Sequence, residues 1–263
     1  TFAKVSEEEA AKLGQSLTPL GAEKAGNADN SIPAWTGGIT SAPAGYSKGD
    51  FHIDPFPEDK VLFTITGGNY KEYSEFLSDG QKKLFEAYPD TYQMPVYQSR
   101  RTASNPQEVY DATKKNALNA DLLEGGNGLK GATLGIPFPI PKTGIEAIWN
   151  HTLRYRGESV ERKGGQAAVT EGGDYNVIGF NEQLMIKYAE PDMTPEKLTE
   201  DNILFMFKQS VTKPARLAGT ALLVHETVDQ VKQPRQAWTY NTGQRRVRRA
   251  PNIAYDAPGT QAD

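Results

Sequence analysis

From residue 157 to residue 249 the sequence keeps repeating one arrangement, a run rich in Val, Ile, Leu, Phe, Tyr and Thr followed by a turn signal. The runs cover about 157–170, 174–189, 202–213, 216–229 and 235–249, with turns supplied by Gly172-Gly173, Lys213-Pro214 and Asn241-Thr242-Gly243. A short helix is expected at Thr194-Pro195-Glu196. Strands that follow one another through short turns become antiparallel neighbours, so this half of the chain reads as a meander. Ile203-Leu204-Phe205-Met206-Phe207 and Ala221-Leu222-Leu223-Val224 are apolar at successive positions, so both faces of the sheet must meet apolar matter. One face can pack on helices. The other needs a second layer, a partner or a ligand, unless the sheet curves back on itself.

The first half carries helix signals instead. Ser6 with Glu9 forms a capping box that opens a short helix. A long arm rich in Gly, Pro and Asn follows, draped over the body and pinned by Trp35 and Phe51, or functional in its own right. Asn69 with Glu72 predicts a helix whose face holds Tyr73, Phe76 and Leu77. Ser78-Asp79-Gly80 interrupts it, Leu84, Phe85 and Tyr88 continue it, and Pro89 ends it. Asn105-Pro106-Gln107-Glu108 predicts a second helix running to about Asn119. Thr143 and Glu146 box a third, with Ile145, Ile148, Trp149 and Leu153 as its apolar stripe. Before it, Ile136-Pro137-Phe138-Pro139-Ile140-Pro141 must be extended, because each residue before a proline is pushed out of the α region. The expected fold class is therefore α+β and β-dominated: residues 1–60 as helix and arm, residues 61–263 as one domain of helices and antiparallel sheet.

Composition narrows the function classes. With 29 basic against 33 acidic residues the chain is net acidic, which disfavours a nucleic-acid partner. It has no cysteine, which removes thiolate chemistry, disulfides and zinc–sulfur sites together. No apolar run reaches the length of a transmembrane span. The absence of an initiator Met at Thr1 reads as a processed start, with a signal peptide removed.

Catalytic signals are thin. The three histidines, His52, His151 and His225, lack metal-ligand spacing, so neither a metal nor a cofactor is expected. There is no Gly-x-Ser-x-Gly elbow, and the Gly-rich stretches 125–131 and 164–173 lack phosphate-binding forms and read as hairpin turns. Glu146, Asn150, His151 and Arg154 on the third helix make the most enzyme-like cluster. The simpler reading gives Glu146 to the cap and leaves Asn150 and Arg154 on the wet side of an amphipathic helix. Arg245, Arg246, Arg248 and Arg249 put charge on both faces of a strand, as an edge strand guarded against aggregation does, or they meet an anionic partner.

Several longer stretches together resemble the DUF1329 proteins of Gram-negative bacteria, described as outer-membrane lipoprotein-sorting-like. They are Gly21-Ala22-Glu23-Lys24-Ala25-Gly26-Asn27 after Leu17-Thr18-Pro19, Ile32-Pro33-Ala34-Trp35-Thr36-Gly37-Gly38, Tyr88-Pro89-Asp90-Thr91-Tyr92 and Met94-Pro95-Val96-Tyr97. Ile136 to Pro141, Ile148-Trp149-Asn150-His151, and Gly243-Gln244-Arg245-Arg246-Val247-Arg248-Arg249-Ala250-Pro251 complete the set. The resemblance implies an exported periplasmic protein with an incomplete antiparallel barrel like those of the carriers LolA and LolB, apolar inside and lidded by helices. It also implies partners, a large inner-membrane exporter of the RND/MMPL type and an outer-membrane protein. It supplies no catalytic residues. Members are expected to continue with further strands where this chain stops at Tyr255-Asp256-Ala257-Pro258-Gly259, so the chain reads as their N-terminal portion or as a short form completed by a partner.

The function expected from these readings is a periplasmic, non-enzymatic binding or carrier protein for a lipid or similar hydrophobic ligand. Strand alternation and aromatic weight choose Trp149, Leu184, Ile186, Phe205, Phe207, Leu222 and Val224 as its lining. The alternatives are an adaptor docking on an RND-type exporter or outer-membrane channel, and an envelope hydrolase using Glu146, His151 or Arg154.

Overall fold

A computed structural model describes residues 5–250 and Ile253. In chain order its elements are α1 (Glu7–Ala10), β1 (Phe63–Thr66), α2 (Asp79–Ala87), β2 (Gln93–Val96), α3 (Gln107–Asn119), β3 (Asp121–Leu122), β4 (Leu129–Lys130) and α4 (Gly144–Thr152). Then come β5 (Ser159–Val169), β6 (Tyr175–Met185), α5 (Pro195–Asp201), β7 (Ile203–Lys213), β8 (Ala221–Thr227), β9 (Gln236–Asn241) and β10 (Arg246–Arg249). The fold is α+β and β-dominated. Its main sheet has six antiparallel strands in the order β10-β9-β8-β7-β6-β5, and no barrel closes among the described residues. No described helix is long and apolar enough to cross a membrane.

Contacts divide the chain into two compact units, one holding Glu23–Ser104 and the other everything up to Ala22 and from Asn105 on. Pairing of β1 with β2 closes the stretch 23–104 on itself. Within that unit the arm is held by polar pins. The Trp35 indole N–H donates to the Ala103 carbonyl at 2.8 Å, and the Arg101 guanidinium donates to the carbonyls of Glu23, Lys24 and Ala25. Phe51, expected as a second pin, is 99% exposed. The helix predicted from Asn69 is a 3₁₀ stretch over Tyr70–Phe76, because the Asn69 side chain bonds Thr66 N and Thr64 O instead of capping. The helical run breaks at Leu77-Ser78, and Ser78 is the N-cap of α2, boxed with Gln81. Phe85 is fully buried, stacked on Tyr70 and tilted against Tyr92, whereas Phe76, Leu84 and Tyr88 are exposed.

In the other unit the predicted caps appear at α1 and α4, and α3 ends at Asn119 as the sequence indicates; its N-cap is Pro106, without the side-chain bond expected of Asn105. The proline-rich segment 136–141 belongs to no helix or strand, so its backbone groups need side-chain partners. They come from two helices. Thr113 Oγ1 accepts from Ile136 N, Asn116 Nδ2 donates to the Thr133 and Ile136 carbonyls, and Asn150 both accepts from Phe138 N and donates to its carbonyl. Gly21 lies against the same segment with φ +95°, where a Cβ would come 1.8 Å from the Pro139 carbonyl oxygen, so only glycine fits. Tyr188, also buried, donates its phenol to the Gly135 carbonyl at 2.7 Å, and burial holds that phenol neutral far above its ordinary range.

The sheet meets these helices in a core of Leu129, Phe138, Leu153, Ile186, Tyr188, Leu198, Leu204 and Val228. The Gly-rich stretch 164–173 is not all turn: Gly164 and Gly165 lie within β5, Gly165 opposite Gly179, and only Gly172-Gly173 is at the β5–β6 hairpin. The run read as a strand to residue 189 leaves the sheet after Met185 and coils into a 3₁₀ turn.

The Glu9 carboxylate ties α1 to the segment before α4 through Lys142 Nζ at 2.6 Å, and also accepts from Ser6 N. The Lys142 hydrogen bond, helped by that backbone bond, holds Glu9 down to about 2, below its ordinary 4.5. A depressed carboxyl stabilises the fold above its ordinary pKa and loses the contribution as pH falls toward the folded value. Hydrogen exchange of residues 5–13 is therefore expected to rise between pH 4.5 and about 2, and Glu9→Gln should remove that pH dependence.

Candidate functional site

Strand register decides which side chains share a face. Leu184 lies opposite Val160 on one side and Phe207 on the other, and Phe207 lies opposite Val224. Leu222 is two residues before Val224, and Phe205 two before Phe207, so all six project from the inner face, the side that carries α4. A bulge at Ile203/Phe205 turns Leu204 inward as well and bends β7. These residues surround a cavity of about 580 Å³. Leu184, Phe205, Phe207 and Leu222 are only half-buried although they sit on the interior strands of the sheet. That is the surface expected of a wall facing open space rather than a packed layer.

The apolar stripe of α4 behaves the same way. Leu153 is buried at its foot, and the half-buried Trp149 donates its indole N–H to the Gly126 carbonyl at 3.0 Å. Ile145 and Ile148 are 48% and 66% exposed and, with Trp149, line a second cavity of about 960 Å³. Arg156, Phe205, Glu226 and Arg235 border both cavities, so the two spaces adjoin at a charged junction. There Glu226, almost completely buried, accepts from Arg235 Nε at 2.6 Å and from Gln230 Nε2 at 3.2 Å. On the neighbouring strands Arg162 pairs with Glu182, which also accepts from Gln209.

Of the residues expected to line a site, Leu184, Phe205, Phe207, Leu222 and Val224 border the strand cavity and Trp149 the helical one. Ile186 does not, because the chain has left β6 by then and its side chain turns into the buried core beside Leu153 and Tyr188. The charged residues went unread, although their signal was available. Glu182 stands two residues from Leu184, Arg162 two from Val160 and Glu226 two from Val224, so the alternation that selects the apolar wall selects them too.

The enzyme-like cluster on α4 is split between tasks. Glu146 caps the helix by accepting from Lys142 N and Thr143 N. Asn150 is not on a wet face but holds Phe138. Arg154 donates to the His151 carbonyl at 2.6 Å, and those two residues face the helical cavity. His52 packs edge-on to Tyr46 and His225 to Trp238, and no group of three or more His, Asp or Glu is placed to hold a metal among the described residues. Arg246, Arg248 and Arg249 stand exposed on β10, the outermost described strand of the sheet, with Arg245 in the turn before it. On the outer face of the sheet Met185, Leu223, Trp238, Tyr240 and Val247 form an apolar surface that no described element covers, with a shallow groove of about 400 Å³ beside Leu223 and Trp238.

Residues 64–263 match the model of a family described as "Protein of unknown function (DUF1329)". The chain is 52% identical over 262 residues to "Uncharacterized protein PA3922" of Pseudomonas aeruginosa, an alignment that covers 100% of this chain and 57% of that relative. The chain thus spans little more than half of its relative's length. No solved structure matches.

Proposed function

The chain belongs to the DUF1329 family, and we propose that it binds and carries an apolar, lipid-like molecule in the periplasm of a Gram-negative cell. One observation carries this reading. Beyond the core contacts of Leu153, the inner wall of the sheet and the Ile145, Ile148 and Trp149 part of the α4 stripe line adjoining cavities of about 580 and 960 Å³. Each is within or near the 300–1,000 Å³ range of small-molecule sites, and apolar walls with a few polar groups are their usual make-up. Burying an acyl chain there gains about 0.8 kcal/mol per methylene. A binding role is preferred to an enzymatic one because Glu146 and Asn150 are already committed to cap and segment.

A fluorescent acyl probe is expected to bind the purified protein, and Leu222→Trp, which puts an indole into the strand cavity, should weaken it by about tenfold or more. Failure of the unmodified protein to take up any acyl probe, or equal affinity in the variant, would overturn the proposal. The uncovered outer face favours a second role, docking on an exporter or outer-membrane protein. Crosslinking from a photoreactive residue at position 223 would capture that partner.

A further inference from the structure

At the charged junction between the cavities stands one exposed cation that makes no hydrogen bond or ion pair among the described residues. Arg156 borders both spaces, yet no carboxylate, carbonyl or other side chain hydrogen-bonds or pairs with it among the described residues. Both acidic groups of the strand cavity are already engaged, Glu182 by Arg162 and Gln209, Glu226 by Arg235 and Gln230. Desolvation, helped by the neighbouring Arg154 and Arg162, holds its guanidinium below the ordinary range. With Arg162 paired to Glu182 and Arg235 to Glu226, the exposed Arg154 and Arg156 leave an excess of positive charge beside the apolar hollow. That excess raises positive potential where an anion can approach, and a guanidinium meets a carboxylate or phosphate through paired N–H donors.

We propose that the ligand is an anionic amphiphile, its carboxylate or phosphate head held by Arg156 at the junction and its chain laid along Leu184, Phe207, Leu222 and Val224. This rests on the reading of the cavity as a site for an apolar ligand, and it adds the head group and the direction in which the ligand lies. Arg154 and Arg162 strengthen the field without being positioned as the sole contact, since Arg154 is held by the His151 carbonyl and Arg162 by Glu182. The four arginines of residues 245–249 are a separate feature, outside both cavities.

The test compares dodecanoate, dodecanol and inorganic phosphate as ligands of the unmodified chain, Arg156→Gln and Arg248→Gln at low ionic strength. Arg156→Gln breaks no hydrogen bond or ion pair among the described residues, so the fold should be unaffected, and a circular dichroism melt checks that. The unmodified chain and Arg248→Gln should prefer dodecanoate to dodecanol by about tenfold, and Arg156→Gln should bind the two alike at the dodecanol level. Equal binding of acid and alcohol by the unmodified chain, or a preference that survives Arg156→Gln, overturns the head-group assignment and leaves the cavity reading standing. Phosphate binding that depends on Arg156 without any chain binding overturns the amphiphile in favour of a free anion. Uptake of none of the three overturns the cavity reading itself.

Discussion

Arg235→Met is expected to destabilise the unit built on the six-stranded sheet by about 3–5 kcal/mol. Its partner Glu226 is buried to 3% side-chain exposure, and the Arg235 side chain itself to 18%. Removing the guanidinium leaves a carboxylate buried to 3% with Gln230 as the hydrogen-bond donor that remains among the described residues, and an uncompensated buried charge is far more costly than the pair was favourable. The companion variant Arg235→Met with Glu226→Leu should recover most of the loss, because it removes both charges and keeps their volume. Urea denaturation followed by tryptophan fluorescence measures both. A double variant no better than the single one would show that the pair matters for geometry, not for charge.

The second large effect belongs to the other unit. Phe85→Ala should cost about 3–5 kcal/mol there, as removal of a buried aromatic ring does. Phe85 has no exposed surface, its ring lies 5.4 Å from Tyr70 and 4.7 Å from Tyr92, and Ile65 and Leu77 are the other buried apolar residues of that cluster. So small a core has no reserve once its centre is a void. Hydrogen exchange should show β1 and β2 losing protection while β5–β9 keep theirs. Equal loss in both places would mean that the two units unfold as one.

What could be read from the residues alone follows from the range of the interactions concerned. Capping boxes are contacts across three residues, so Ser6/Glu9 and Thr143/Glu146 announced α1 and α4 at their true starts. Asn69 misled because its side chain had a closer rival partner in the backbone of Thr64 and Thr66, which no local rule weighs. Ile186 misled for a related reason. Alternation holds only while the chain stays in the sheet, and the strand ends one residue earlier.

For this protein the sequence by itself determined the periodicities of the second half: where the strands of the six-stranded sheet run, which of their side chains alternate to one face, and, for the whole chain, that no thiol chemistry is available; the short strands β1 to β4 carry no such signal. Those properties depend on neighbours along the chain. The tertiary structure alone decided that Ile145 and Ile148 of α4 and the inner wall of the sheet border open space, and that Glu182 and Glu226 are each claimed by an arginine while Arg156 has no such partner among the described residues. An empty space and an unpaired charge are both defined by residues far apart in the chain, whose distances emerge only once the strands have paired.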